Sequence, residues 1–237
     1  MEYTNSGLVS YKKLSKCKTV GRKYSISRFT PHVFVGQVTA KQGCDYFYNV
    51  GVNANEDDDC SANYVIGKAG DIGLSVDEKD RAWTSSNADN DHRAITVEIA
   101  SDTKHPYKIT DEAWNALVEL AVDVCRRNNK TKMIWIPNKA KALAYNPADN
   151  EMLITVHRWF KNKACPGDYL YNRLGELADT VNKRLSKPDL TDAQRWAVDN
   201  GLIAGYGNGD YGWGDPLTRG QLVIVLKRFY DLVNKNG

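Results

Sequence analysis

Three short apolar, β-branched runs, AITVEIA (94–100), KMIWI (132–136) and EMLITVH (151–157), alternate with stretches of helical spacing. This alternation constrains the fold more than any other feature, because strands interleaved with helices form a sheet covered by helices. In the first run Ile95, Val97 and Ile99 fall on one face of a strand, and Thr96 and Glu98 on the other. Thr110 caps a predicted helix, Asp111 and Glu112 suit its positive end, and Trp114, Leu117, Val118, Ala121, Val124 and Cys125 recur at its spacing. A further helix is predicted from near Pro166, with Leu170, Leu174, Leu177, Val181 and Leu185 on one stripe. Upstream, residues 25–40 read as a strand with its loops, and 41–60 as an irregular polar excursion. ANYVIGKAGDIGLSV reads as a hairpin: a strand from Tyr64 to Gly67, a turn at 68–70 and a second strand from Asp71. The expectation is an α/β domain over residues 1–186, with a central mixed β-sheet flanked by helices.

SKPDLTD (186–192) reads as a linker in which Pro188 stops the preceding helix. Residues 187–237 then form a small helical module, read as helix, Gly-rich loop, helix. A piece this short buries only a small core, so it needs a partner or a docking surface. The formal charge of +3 is too weak to point to nucleic acid. No run of about 18 apolar residues points to a membrane span. The start, MEYTNSGLVSYKKLSK, lacks the apolar core of a signal peptide, so the expectation is synthesis in a bacterial host cytoplasm. The five cysteines, Cys17, Cys44, Cys60, Cys125 and Cys165, are an odd number and argue against a disulfide framework. A Cys44–Cys60 bridge across the acidic run at 56–59 is disfavoured.

The run TVHRWFKNKACPGD carries the chemistry. His157 ends an apolar strand, Cys165 precedes a Pro-Gly that opens a helix, and eight residues separate them. With His32, from RFTPHVFVG, they make a set of two His and one Cys, which leaves a coordination position open as catalytic zinc sites do. A thiol at a helix N-terminus is expected to have a lowered pKa, and Lys163 adds positive charge beside it. Taken singly, a strand-end His or a Cys before a helix is more often structural. For His92 and His105, in polar surface-like runs, that reading is preferred.

The pieces FTPHVFVGQ, SANYVIGKAGDIG, RAITVEIAS and TVHRWFKNKACPGD, in that order over about residues 25–180, resemble the zinc-dependent N-acetylmuramoyl-L-alanine amidases. These are the type 2 amidases of bacteria and phage endolysins, related to the peptidoglycan-recognition proteins, whose fold the resemblance implies for the first domain. It also implies that His32, His157 and Cys165 bind Zn2+, that Lys163 stabilises an oxyanion, and that Glu98 or Tyr64 handles protons. Glu98 is preferred as base, since a carboxylate ionises well below neutral pH, and Tyr64 is second as a donor that positions water or the carbonyl. Pro31 and Asn63 stand where many relatives carry His.

The implied reaction is zinc-assisted hydrolysis of the amide between N-acetylmuramic acid and L-alanine in peptidoglycan. The lytic context is that of an endolysin acting on the wall after release. Trp83 and Trp159 are candidates to line a sugar groove. Trp196, Gly205, Pro216, Thr218, Arg219 and Gln221 carry a pattern that resembles one S-layer homology repeat. It implies docking on secondary cell-wall polymers or association into a homo-oligomer. Two other readings compete: a module that binds peptidoglycan without cutting it, and a Cys-His hydrolase with Cys165 as nucleophile.

Overall fold

The computed structural model describes residues 3–52, 60–186, 191–206 and 211–234. The acidic run at 56–59, most of the linker with Pro188, and part of the Gly-rich loop lie outside the described residues. The chain divides into two compact units, Met1–Ser186 and Lys187–Gly237.

In the first unit the elements are β1 (Tyr11–Lys12), β2 (Lys18–Thr19), β3 (Arg28–Val33), α1 (Ala40–Val52), β4 (Tyr64–Ile66), β5 (Ile72–Leu74), β6 (Arg81–Ala82), α2 (Ala88–Arg93) and β7 (Ala94–Ile99). There follow α3 (Asp111–Arg127), β8 (Lys132–Ile134), α4 (Lys139–Ala144), β9 (Glu151–Ile154), a 3-10 turn at His157–Trp159, α5 (Gly167–Tyr171) and α6 (Leu174–Leu185). Among the described residues one seven-stranded sheet has the order β1-β5-β4-β7-β3-β9-β8, and β2 and β6 form a separate ribbon. The β4–β5 hairpin is antiparallel, while β4, β7, β3, β9 and β8 run parallel. The architecture is therefore a mixed α/β sheet flanked by helices, as expected.

The sheet's two faces have different chemistry, and the period of two is the cause. Phe29, Val33, Tyr64, Ile66, Ile95, Val97 and Ile99 join the main core with Leu117, Leu120 and Val124 of α3 and Leu177 and Val181 of α6. The other face presents Thr30, His32, Thr96 and Glu98 along β3 and β7, where Thr30 pairs with Thr96 and His32 with Glu98. Thr110 caps α3 by accepting from the Ala113 amide. The single helix expected after Pro166 is two, α5 and α6.

The polar excursion expected at 41–60 is corrected: α1 spans Ala40–Val52. Two glycines and several aromatics in AKQGCDYFYNVGV hide its helical character. Packing explains Gly43, since a Cβ there would lie 2.5 Å from Val65 Cγ1 on β4. His92, from a run that reads as surface-like, is buried, at 5% exposed, and its Nδ1 accepts from the Lys23 amide. No disulfide joins Cys44 to Cys60.

The second unit holds α7 (Asp192–Asp199), closed by a capping box between Thr191 and Gln194, and α8 (Arg219–Asn234). Gln221, Ile224, Val225 and Arg228 of α8 line a cavity of about 230 Å3 with Leu202, Tyr206 and Leu217 of the same unit. Another stripe of α8, Leu222, Leu226, Phe229 and Val233, is exposed. No helix among the described residues is long and apolar enough to cross a membrane.

Replacing Gly43 by Ala adds about 1 kcal/mol of helix propensity but overpacks the α1–β4 contact by about 1–3 kcal/mol. The expected outcome is a net loss of about 1 kcal/mol in urea unfolding.

Candidate metal centre

His32 sits near the C-terminal end of β3, and the parallel register sets it directly beside Glu98 on β7. β9 lies on the other side of β3, and the chain leaving it turns into the 3-10 segment that begins with His157. Cys165 returns to the same place from the loop before α5. Ligand atoms of His32, His157 and Cys165 all lie within 4.8 Å of one another. Cys165 Sγ is 3.2 Å from His32 Nδ1, and Glu98 Oε1 is 3.7 Å from the same nitrogen. The two imidazole centroids are 5.1 Å apart.

Arg158, which sequence reasoning missed, closes the loop that brings Cys165 back. Its Nη2 donates to the Ala164 carbonyl at 2.6 Å and its Nη1 to Asp168 Oδ1 at 3.0 Å, while its amide donates to the Cys165 carbonyl at 3.2 Å. The Cys165–Pro166 peptide is cis. Gly167 has φ +77°, and a Cβ there would lie 2.9 Å from the Pro106 carbonyl oxygen, so the CPG sequence needs its glycine. A second missed residue is Ser86, whose hydroxyl lies 3.1 Å from His157 Nε2 and whose φ is +57°. Behind the ligands, Thr30, Thr155 and Asn90 form a buried hydrogen-bonded group: Thr30 Oγ1 to Thr155 Oγ1 at 2.8 Å, and Thr155 Oγ1 to Asn90 Oδ1 at 2.9 Å. Their types and positions gave no sequence signal, because strands and a helix distant in sequence bring them together.

Burial sets the electrostatics. It holds His32 well below the ordinary imidazole range, with His157 adding to the effect. It also lowers His157 to about 4, helped by Lys163 and then Lys161. The expectation of a low-pKa thiol at Cys165 is corrected. Burial, then the Glu98 charge, pushes it upward, and α5 is too short, at five residues, to offset this by its dipole. The expectation that Glu98 ionises well below neutral pH is corrected too: burial raises it to about 8. Without a cation, the centre at neutral pH therefore holds two neutral imidazoles, a protonated thiol and a largely protonated carboxyl.

These residues fit a zinc ion. His32 presents Nδ1 to both Cys165 Sγ and Glu98, and Glu98 Oε2 is a buried polar atom without a hydrogen-bond partner. Neutral imidazoles are already in their ligating form, and a buried thiol gains a strong reason to ionise only from a bound cation. His32, His157 and Cys165 would hold the ion.

Lys163 is exposed, lines the adjoining cavity with His157, and acts on both His157 and Cys165 through its charge. Tyr64 is not brought to the centre. It pairs with Val97, whereas its neighbour Val65 pairs with Glu98, so its side chain leaves the opposite face of the sheet. There its hydroxyl donates to Glu78 Oε1 at 2.5 Å and accepts from the Ser6 amide at 2.9 Å. One position in a strand decides the face, and this overturns Tyr64 as a candidate catalytic group. Trp83 lines the cavity, but Trp159 is buried and stacks on Trp135 at 5.4 Å.

In a zinc titration of metal-free protein at pH 7, one equivalent is expected to bind and release about one to two protons, from Cys165 and Glu98, with none from the histidines. Affinity falls about ten- to a hundredfold per pH unit between about pH 8 and 5, in step with the one to two protons that Cys165 and Glu98 must lose. Cys165→Ala weakens binding by about 100-fold or more. Calorimetry in buffers of different ionisation enthalpy reads both quantities.

The described fold matches that of known structures. No curated protein matches the chain. Among solved structures, the N-acetylmuramoyl-L-alanine amidase LysC from Clostridium intestinale URNW superposes with a TM-score of 0.50 at 12% identity, covering 73% of this chain and 96% of its own. Drosophila peptidoglycan recognition protein SD gives 0.48 at 15% identity, covering 69% and 88%. PlyL gives 0.43 at 15%, covering 80% and 100%. The likeness to LysC shows the shared fold. The family profile described as N-acetylmuramoyl-L-alanine amidase matches residues 26–168, more than half of the sequence and all of the candidate centre. The chain belongs to the N-acetylmuramoyl-L-alanine amidase family, Amidase_2.

Proposed function

We propose that this protein is a zinc-dependent N-acetylmuramoyl-L-alanine amidase that hydrolyses the amide between N-acetylmuramic acid and L-alanine, acting on bacterial walls as an endolysin after release from the cytoplasm. The observation that carries the reading is the convergence of His32, His157 and Cys165 beside the buried Glu98 carboxyl. When bound, zinc supplies a Lewis acid that polarises a carbonyl oxygen and acidifies water. His32, His157 and Cys165 hold it, and Arg158 keeps the Cys165 loop closed. Glu98 takes a proton at Oε2 from the attacking water and returns it to the leaving amine. Lys163, at the mouth of the cavity, supplies positive charge for the developing oxyanion. Tyr64 has no part in the reaction.

Two other readings are less well supported. A Cys165 nucleophile requires a lowered pKa, and burial raises this thiol. A module that only binds peptidoglycan has no use for a buried, unpartnered Glu98 Oε2 beside three metal-type donors.

On purified cell walls, new N-terminal alanine is expected to appear, to stop with a chelator and to return with zinc. Cys165→Ser abolishes release, and Glu98→Gln lowers it by about 100- to 10,000-fold. Wall binding without release, or release indifferent to chelators, would favour the competing readings.

The C-terminal unit serves self-association in this proposal, with secondary cell-wall polymers as the competing target. The exposed stripe Leu222, Leu226, Phe229, Val233 steps by four, three and four residues, a heptad seam suited to another helix. Aliphatic side chains give a sugar polymer few hydrogen bonds. Sedimentation should show an oligomer that Leu226→Glu with Phe229→Glu reduces to a monomer. A monomeric parent that loses wall binding in the same variant would point to the polymers instead.

A further inference from the structure

Beside the three metal-type ligands lies a cavity of about 370 Å3 whose lining includes Arg81, Trp83, Lys161, Lys163 and Asp91. Its lining carries two lysines and an arginine against one carboxylate. Arg81 Nε and Nη2 donate to Thr19 Oγ1 at 3.1 and 2.6 Å, and Trp83 Nε1 donates to the same oxygen at 3.0 Å. A hydroxyl oxygen has two lone pairs, so three donors oversubscribe it. Arg81 Nη1 makes no hydrogen bond among the described residues, and Lys161 makes no ion pair among them. Asp91 accepts from the Thr84 and Ser85 amides and, at 2.5 Å, from the Ser85 hydroxyl, and its charge acts on Arg81 without touching it in a hydrogen bond, so one anion stands against the three cations Arg81, Lys161 and Lys163. The cavity is thus cationic, with a guanidinium whose plane is fixed by Thr19 and by the Trp83 ring 5.8 Å away. A planar anion with two oxygens matches such a fork better than a neutral amide does.

We propose that Arg81 and Lys161 form a carboxylate subsite that selects substrates carrying a free carboxylate on the residue after the L-alanine, over those in which it is amidated. The inference rests on the amidase reading for the identity of the substrate, and its test separates the two. N-acetylmuramoyl-L-alanyl-D-glutamic acid with its γ-carboxyl capped as a methylamide, so that the α-carboxylate is the residue's one free carboxylate, and the α-carboxamide of the same compound are offered to the zinc-loaded protein. The acid is expected to show a kcat/KM about tenfold above the amide. Arg81→Gln and Lys161→Met each bring that ratio toward one by slowing the acid, and leave the amide within about twofold. Lys161 is exposed, so its variant keeps the test valid should Arg81→Gln unfold. Equal kcat/KM for the two compounds in the parent protein overturns the subsite. Calorimetric binding of the same pair reads the subsite without turnover. Tighter binding of the acid, closed by Lys161→Met, supports it even if neither compound is cut, a result that would sink the amidase reading alone; equal Kd values overturn it.

Discussion

The parallel register of β3 against β7 is the constraint on which the centre depends. It sets His32 opposite Glu98 in the middle of the sheet, on the face away from α3 and α6. Both positions are on rigid, paired strands, so their spacing does not depend on loop conformation. The remaining two ligands arrive from the chain that follows β9, and β9 pairs with the other edge of β3. Three parallel strands thus deliver their C-terminal ends to one place, where sheets of this kind put their chemistry.

Burial follows from that position, and burial fixes the charge state. Each group at the centre is shifted toward its neutral form: both imidazoles down, the thiol and the carboxyl up. A site of this kind is poor at nucleophilic or acid–base work by itself and suited to receiving a cation. The open side tells a different story. There the solvated lysines and Arg81 make the wall positive, and the lysines reinforce the neutrality of His157.

Much of the first unit was legible because its signals are local. The β-branched runs, the Thr110 cap and the 64–74 hairpin depend on neighbours in sequence, and the structure contains them. Helix α1 was not legible, since Gly43 is there to let the helix approach Val65, a partner distant in sequence. Tyr64 misled for the same reason in reverse. Its residue type suited a catalytic donor, but its register with Val97 turns it into the core, where Glu78 and Ser6 satisfy its hydroxyl.

By itself the sequence determined the alternation of strands and helices, the break near residue 186 and the residue types able to bind a metal, because periodicity and donor chemistry are properties of short segments. Only the tertiary structure decided which of those residues meet, that Arg158 and Ser86 support them, and that Glu98 and Cys165 stay protonated without a cation. Pairing register and desolvation are properties of the packed sheet, and neither exists until distant segments have been brought together.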